Sequence, residues 1–495
     1  MNFSESQKKW TGLFLGPVLF ILFLFFIEPQ GMSAEARAVL ASTLWVATWW
    51  ITEAIPIPAT SLLPIILLPL AGGLDVKTAT SAYGDKMLFL FIGAFMIALA
   101  MEKWNLHKRI ALNIILAVGT NTRMIILGFM IATGFLSMWI SNTATTMMMM
   151  PIGVAIISQF SSFLKNNHSK RASDNFGKAL MLGIAYSASI GGLSTLIGTP
   201  TNPIFAAMVK QIFNQEISFA DWMMLGTPLA VVLIGISWIH LVRFAFPLKS
   251  DPVKGVKDTM ENDLKQLGRL SWEEKWVMVV FVGAALAWIS RSYVLNLFMP
   301  ALDDTIIAVA GALILFFIPT KSKPNSRILN WETAVKLPWG VILLFGGGLS
   351  IAAGFKESGL AQWVGTSMTL LQGLELIVII AGVTTLVNFL TEITSNVATA
   401  TIILPILASI AAAINIHPYV LMVAATIAAS CAFMLPVATA PNAIVFGTGY
   451  VNMQDMIKAG FWLNIISIII IILTIYFLLS PMWGIDMQNF PQDFR

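Results

Sequence analysis

Residues 133–156 read TGFLSMWISNTATTMMMMPIGVAI, and residues 387–410 read VNFLTEITSNVATATIILPILASI. Aligned at an offset of 254, the two segments are identical at nine of 24 positions, including a shared Ser-Asn and a shared Ala-Thr pair. Each segment is apolar except for a cluster of Ser, Asn and Thr near its middle. This similarity predicts a chain built from two related halves.

The repeat extends on both sides of these segments. Upstream, residues 91–106 align with 345–360 at the same offset of 254. Downstream, residues 198–202 (GTPTN) align with 438–442 (ATAPN) at an offset of 240, and the slip of 14 falls most simply in the polar loop 165–178. Two blocks at one shared offset make chance similarity between apolar segments a poor explanation.

The composition is that of a membrane protein. The chain has 495 residues, of which 57% are hydrophobic and 11% charged, whereas soluble domains carry about 25% charged residues. Apolar runs approach the roughly 20 residues that cross a bilayer as a helix. The first run, from Leu13, is expected to be a retained span and not a signal peptide. One cysteine and four scattered histidines suggest neither a disulfide nor a metal centre.

These runs predict an all-α polytopic membrane protein with about eleven transmembrane helices. The spans are expected at 11–28, 36–51, 55–72, 86–102, 179–209, 225–246, 276–294, 304–318, 339–355, 418–448 and 460–480. Two further apolar segments, 110–163 and 370–414, are interrupted by the polar clusters and are expected to be re-entrant hairpins.

The distribution of Lys and Arg predicts the orientation. With a cytoplasmic N-terminus, an outside C-terminus and hairpins that return to their side of entry, 22 of 29 basic residues fall inside, as the positive-inside rule requires. The two hairpins then enter from opposite sides, so the repeats are inverted. The predicted units are 1–35 (an N-terminal span), 36–248 (first repeat), 249–275 (cytoplasmic linker) and 276–495 (second repeat).

Polar groups at membrane depth are costly unless they serve a purpose. Hydroxyl, amide and backbone carbonyl oxygens suit an alkali cation, and backbone amides at helix N-termini suit carboxylates. Proline and glycine interrupt the apolar runs at 195–202 and 436–442, which predicts broken helices facing the two hairpin tips. We expect two oxygen cages with an anion between them. Neither motif contains Lys or Arg, so a bound cation would supply the positive charge.

Single residues in these clusters have alternative explanations. Thr145, Thr146, Thr399 and Thr401 could equally bond to helix carbonyls. Glu392 is expected either to order the second hairpin or to take part directly in ion coupling. Trp139 is expected to be an interface anchor.

The paired motifs also resemble a known family. Ser141-Asn142-Thr143 and Ser395-Asn396-Val397, each followed by Ala-Thr, are similar to the paired Ser-Asn-Thr motifs of the divalent anion/sodium symporter (DASS) family. Residues 49–56 and 434–439 resemble other segments of that family. The resemblance implies a homodimer in the plasma membrane, or inner membrane, that moves its substrate by an elevator motion. It also implies sodium-coupled uptake of succinate, malate or fumarate.

The resemblance assigns roles to individual residues. One sodium site would use Ser137, Ser141, Asn142 and backbone near Thr195 and Gly198, and a second would use Thr391, Ser395, Asn396 and backbone near Ala438 and Ala440. The substrate carboxylates would meet Asn142, Thr143, Asn396, Thr199, Pro200 and Thr439. Val397 stands where the family has a threonine, so the second motif lacks one hydroxyl toward the substrate.

Other functions are weighed against this one. A sodium-independent di- or tricarboxylate exchanger is the nearest alternative. A channel would need a filter loop, which the sequence does not resemble. An enzyme would need a nucleophile beside a base, and Ser141 and Ser395 have no histidine or lysine in the same segment. No organic cofactor and no nucleic-acid partner is expected.

Overall fold

The computed structural model describes residues 5–165, 170–250, 256–367 and 373–494, and this part of the chain contains helices but no β-strand. The helices of the first half are α1 Glu5–Phe25, α2 Ala34–Thr52, α3 Ile57–Thr60, α4 Leu63–Leu70, α5 Val76–Ser81, α6 Lys86–Lys103, α7 Leu106–Val118, α8 Thr122–Ser137, α9 Asn142–Lys165, α10 Lys170–Gly192, α11 Thr201–Phe213 and α12 Phe219–Ile239.

The helices of the second half are α13 Val256–Gln266, α14 Trp272–Ser290, α15 Asn296–Phe298, α16 Asp304–Phe317, α17 Trp331–Ala334, α18 Trp339–Glu357, α19 Leu360–Ser367, α20 Leu376–Thr391, α21 Asn396–Ala413, α22 Pro418–Ala429, α23 Ala440–Phe446, α24 Met453–Thr474 and α25 Ser480–Trp483. Short π-helical stretches continue α12, α14 and α24.

The polar residues between apolar runs cap these helices. The side chain of Asn121 accepts a hydrogen bond from Met124 N at 2.9 Å and so begins α8. Reciprocal capping pairs, Ser218 with Asp221 and Asn452 with Asp455, begin α12 and α24. Side-chain caps satisfy backbone N–H groups that the first turn of a helix leaves unpaired.

The surface carries many apolar side chains. Leu70 is 83% exposed and Phe298 is 80% exposed, as suits helices that face lipid. Eight helical segments of the described residues are long and apolar enough to cross a membrane: Gln7–Phe25, Val76–Lys103, Asn142–Ser161, Phe219–Ala245, Trp272–Phe298, Trp339–Glu357, Asn396–Ala413 and Met453–Trp483. Five further apolar helices have 10–17 residues, and the number of eleven spans stays a prediction.

Several predicted boundaries are corrected by the structure. The segment 110–163 begins inside α7, and only α8 and α9 form the first helix pair. Gly119, at φ 136°, ends α7 in a backbone conformation that few residues other than glycine adopt. The second pair is α20 and α21, and the start of the predicted segment 370–414 lies outside the described residues. Spans 55–72, 179–209 and 418–448 are each two helices.

The two halves pack their helix pairs in the same way. Helix α10 contacts both α8 and α9, and α22 contacts both α20 and α21. A Cβ on Gly191 would lie 2.6 Å from Gly134 Cα, so the backbones of α8 and α10 touch through two glycines. At the corresponding place of the second half, Asn388 Nδ2 donates to Cys431 O at 2.6 Å.

Candidate functional site

A cavity of about 990 Å³ lies where the two helix pairs and the two helix breaks meet. This volume is at the upper end of the range for small-molecule pockets. The residues predicted from the sequence that line it are Ser141, Asn142, Thr143, Gly198, Thr199, Pro200, Ser395, Asn396, Val397, Ala438, Thr439 and Ala440. The structure therefore brings both motifs and both breaks together around one space.

Three helices of 13 to 24 residues begin at this cavity. Asn142 begins α9, Pro200 precedes the first residue of α11, and Asn396 begins α21. The N-terminal end of a helix carries partial positive charge and unpaired N–H groups. Three such ends around one cavity suit an anion.

The first oxygen cluster surrounds the side chain of Asn142. Ser137 Oγ lies 2.7 Å from Ala188 O and 2.6 Å from Asn142 Oδ1, and its single proton can serve only one of them. If the Asn142 amide is rotated, its nitrogen donates to Ala188 O at 3.1 Å, to Gly198 O at 3.2 Å and to Ser137 Oγ. The cluster thus offers several oxygens that an N–H donor or a cation satisfies.

The second cluster has the same form. Thr391 Oγ1 lies 2.7 Å from Asn396 Oδ1 and 2.9 Å from Ala429 O. Thr391 corresponds to Ser137 and Asn396 to Asn142 at the offset of 254. Ser137, Thr391 and Thr195 are fully buried and lie behind the cavity wall, so they can act on a bound ion but not directly on a larger substrate.

Asn202 and Asn442 hold the two helix breaks in shape. Asn202 Nδ2 donates to Gly192 O at 3.1 Å and to Thr195 O at 2.7 Å. Asn442 Nδ2 donates to Ala432 O at 3.2 Å and to Leu435 O at 3.0 Å, which are the corresponding carbonyls at an offset of 240. The Oδ1 atom of Asn442 is buried with no hydrogen-bond partner among the described residues, so it is free to contact a cation.

The hydrogen bonds that join each hairpin tip to the facing helix break differ between the two halves. In the first half, Thr195 Oγ1 donates to Met138 O at 2.6 Å. In the second half, Glu392, which corresponds to Met138, accepts hydrogen bonds from the backbone N–H groups of residues 433, 434 and 435. The two links connect equivalent segments by different chemistry.

Sequence reasoning missed several members of the site. Lys8 and Lys9 of α1 also line the cavity, and so does Glu53 at the end of α2, which belongs to the segment 49–56 that resembles the family. The two lysines are distant in sequence from both motifs, and the glycines Gly12 and Gly16 of α1 indicate close packing without identifying the partner. A Cβ on Gly16 would lie 2.6 Å from the Trp45 ring. The Ala188 and Ala429 carbonyls had no signal, because an alanine side chain does not report the use of its backbone oxygen.

Trp139 is not an interface anchor, contrary to the prediction. It lies in the first tip, is 8% exposed, and its ring stacks on Trp288 and Phe219 and meets Phe281 edge-on. Phe281 and Trp288 belong to α14, so the first tip is packed against a helix of the other half.

Residues 7–484 match the family model described as the sodium:sulfate symporter transmembrane region. The chain belongs to this family. The match confirms the resemblance inferred from the paired motifs, and with the apolar helices it identifies a multi-pass membrane protein.

Curated relatives of the sodium:sulfate symporter family cover almost the whole chain. A protein of Staphylococcus saprophyticus named sodium-dependent dicarboxylate transporter SdcS is 49% identical over 99% of this chain and 95% of its own length. A protein of Staphylococcus aureus (strain bovine RF122) with the same name is 49% identical over 98% of this chain and 96% of its own length.

Two solved transporter structures share the fold. MtrF of Neisseria gonorrhoeae, described among antimetabolite efflux pumps, superposes with a TM-score of 0.54 at 13% identity and 97% coverage of both chains. The YdaH transporter of Alcanivorax borkumensis superposes with a TM-score of 0.50 at 12% identity, over 97% of this chain and 98% of its own. At such low identity the likeness concerns the fold alone. The prediction of an all-α polytopic protein is thus confirmed.

Proposed function

We propose that the protein is a secondary transporter that takes up C4-dicarboxylates such as succinate, malate and fumarate together with sodium ions. The observation that carries this proposal is the cavity shared by both halves, where the N-termini of α9, α11 and α21 meet beside two oxygen clusters. The names of the relatives that are 49% identical support both the anion and the cation. Membership of the family supports transport, and not catalysis, as the activity.

The sodium ions would bind at the clusters around Asn142 and Asn396. Their side-chain ligands would come from Ser137, Ser141, Thr391 and Ser395. Backbone carbonyls would come from Ala188 of α10 and Ala429 of α22, and from Gly198, Ala438 and Ala440 in the two breaks. Oxygen ligands of this kind suit an alkali cation. The dicarboxylate would lie between the clusters, against Thr143, Val397, Thr199, Pro200 and Thr439. Each cation would raise the affinity for the anion, and by linkage the anion would raise the affinity for sodium.

Movement would carry both clusters together across the membrane. The two hairpins and the broken helices would form the moving unit, and the remaining helices a scaffold that dimerises. The hairpins would enter from opposite sides, with the N-terminus cytoplasmic and the C-terminus outside. This elevator arrangement is supported by the resemblance, and the packing of Trp139 against α14 is one contact that such a motion would change.

Uptake of labelled succinate by proteoliposomes tests the proposal. An inward sodium gradient should drive accumulation, and the same vesicles in choline should show little. A double variant, Asn142→Leu with Asn396→Leu, is the negative control and should be inactive although it elutes as a folded protein. Equal uptake with and without sodium, dependent on internal dicarboxylate, would identify the exchanger instead.

A further inference from the structure

Glu392 is a buried carboxylate at the tip of the second hairpin. Its side chain is almost fully enclosed, at 3% exposed. It accepts hydrogen bonds from Phe433 N at 2.8 Å, Met434 N at 3.0 Å, Leu435 N at 3.0 Å and Asn464 Nδ2 at 2.7 Å. All four partners are donors, which is the environment that an ionised carboxylate requires, because it only accepts.

No side-chain cation neutralises this carboxylate within the described part of the chain. The ion pairs recorded there join other residues, such as Arg291 with Asp304 and Arg109 with Glu274. A buried charge is costly unless an opposite charge or several hydrogen bonds compensate it. Glu392 has the hydrogen bonds but lacks the opposite charge, which a nearby sodium ion would provide.

The carboxylate lies beside the second oxygen cluster. Glu392 follows Thr391, whose hydroxyl belongs to that cluster. The backbone N–H of Leu435 donates a hydrogen bond to Glu392, and the backbone carbonyl of Leu435 accepts one from Asn442 Nδ2. Since neighbouring Cα atoms are about 3.8 Å apart, we place the carboxylate within about 10 Å of an ion held by Asn396.

The first cluster has no such charge. Met138 stands at the equivalent position, and the tip is joined to the break by the neutral hydroxyl of Thr195. Each cluster has one hydroxyl, one asparagine and one alanine carbonyl, and the second half adds the Asn442 Oδ1 atom, which has no hydrogen-bond partner among the described residues. The two sites therefore differ in this one neutral oxygen and in charge, because only the second site has a buried carboxylate, that of Glu392, close to it.

We propose that Glu392 makes the second sodium site the tighter of the two, so that it fills first. The inference rests on the proposed function, since it requires both sodium sites. An opposite charge about 10 Å away at an effective dielectric constant near 20 corresponds to roughly tenfold in affinity. Glu392 acts through the electric field at the site without contacting the ion, and so is a positioning residue.

Equilibrium binding of labelled sodium to the purified protein, without dicarboxylate, tests the order of the sites. Wild type should show a tight and a weak class of sites. Glu392→Gln keeps the shape of the side chain, and should weaken the tight class about tenfold while the weak class stays the same. Ser137→Ala is the matched control in the first cluster and should affect the weak class alone.

The outcomes are distinct. Loss of the tight class in Ser137→Ala, or an unchanged tight class in a folded Glu392→Gln, would overturn the inference while leaving sodium coupling intact. Absence of sodium binding in wild type would instead refute the proposed function. Should Glu392→Gln fail to fold, Glu392→Asp keeps the charge and should stay within about threefold of wild type; a tenfold loss there would show that charge is not what matters.

Discussion

In both halves the hairpin tip is joined to the helix break, but different residues make the contacts. In the first half, glycines and a threonine bring the backbone close, since Gly134 touches Gly191 and Thr195 bonds to the tip. In the second half, longer polar side chains, Asn388 and Glu392, reach across the same gaps. A repeat can therefore keep its geometry after its chemistry has diverged. Substitutions at paired positions should have unequal effects.

The largest difference is expected at Gly198 and its counterpart Ala438. A Cβ on Gly198 would lie 2.5 Å from Gly192 O, so Gly198→Ala must displace a backbone that faces the Asn142 amide. Overpacking of this kind costs about 1–3 kcal/mol. We expect the sodium concentration that gives half-maximal succinate binding to rise at least tenfold. Ala438→Gly is the matched variant and should shift it less than about fivefold. Equal shifts in the two variants would refute the idea that the backbone is packed more closely at the first helix break than at the second.

The next largest effect is expected from the link in the first half. Thr195→Val keeps the shape but removes the hydrogen bond to Met138 O, which is worth about 1 kcal/mol, or roughly fivefold in sodium affinity. Leu435→Val, at the corresponding position, should change the affinity less than about twofold, because Leu435 bonds through its backbone N–H. Sodium titration of succinate binding measures both. A shift as large in Leu435→Val would contradict the proposed division of roles.

A comparable but more selective effect is expected at Val397. Its counterpart Thr143 is exposed to the cavity, whereas Val397 is partly buried in the lining. Val397→Thr should preserve transport and change relative affinities among dicarboxylates by about fivefold, the worth of one neutral hydrogen bond. Thr143→Val is the matched variant. Competition uptake with succinate, malate and fumarate measures the ranking, and an unaltered ranking in both variants would remove Val397 from the substrate site.

The sequence was sufficient for the features that side chains encode. Apolar runs predicted the class of protein, and the Ser-Asn pairs with the Pro/Gly breaks predicted twelve residues of the cavity lining. The carbonyls of Ala188 and Ala429 could not be predicted, because backbone ligands leave no trace in residue identity. The end of α7 could have been found, since Gly119 and the capping Asn121 are recognised stop and start signals.

The approach of α1 to the cavity depends on tertiary packing alone. Lys8 lies four residues before Gly12 and eight before Gly16, so all three share one face of the helix. A Cβ on Gly12 would meet the side chain of Thr52, which places this face against the end of α2. The two lysines therefore line the cavity together with Glu53; Gly12 and Gly16 indicate close packing of α1, but the local sequence does not identify what it packs against.

The smallest effect is expected at these lysines. Lys8 and Lys9 are exposed, so their attraction for a dianion is screened by salt within about 10 Å at 0.1 M, and Glu53 offsets part of it. Lys8→Gln with Lys9→Gln should weaken succinate binding about threefold at fixed sodium and low ionic strength. The same variant should bind like wild type in about 0.5 M choline chloride, because salt at that concentration screens the charges almost completely.

The matched control for the lysine pair is Lys265→Gln with Lys323→Gln, which removes the same charge from exposed positions that do not line the cavity. This variant should bind succinate like wild type at both ionic strengths. A loss that persists in high salt would mean that the lysines contact the substrate directly. The anion would then be held by fixed positive charge as well as by sodium. The two oxygen clusters by themselves would no longer account for anion binding.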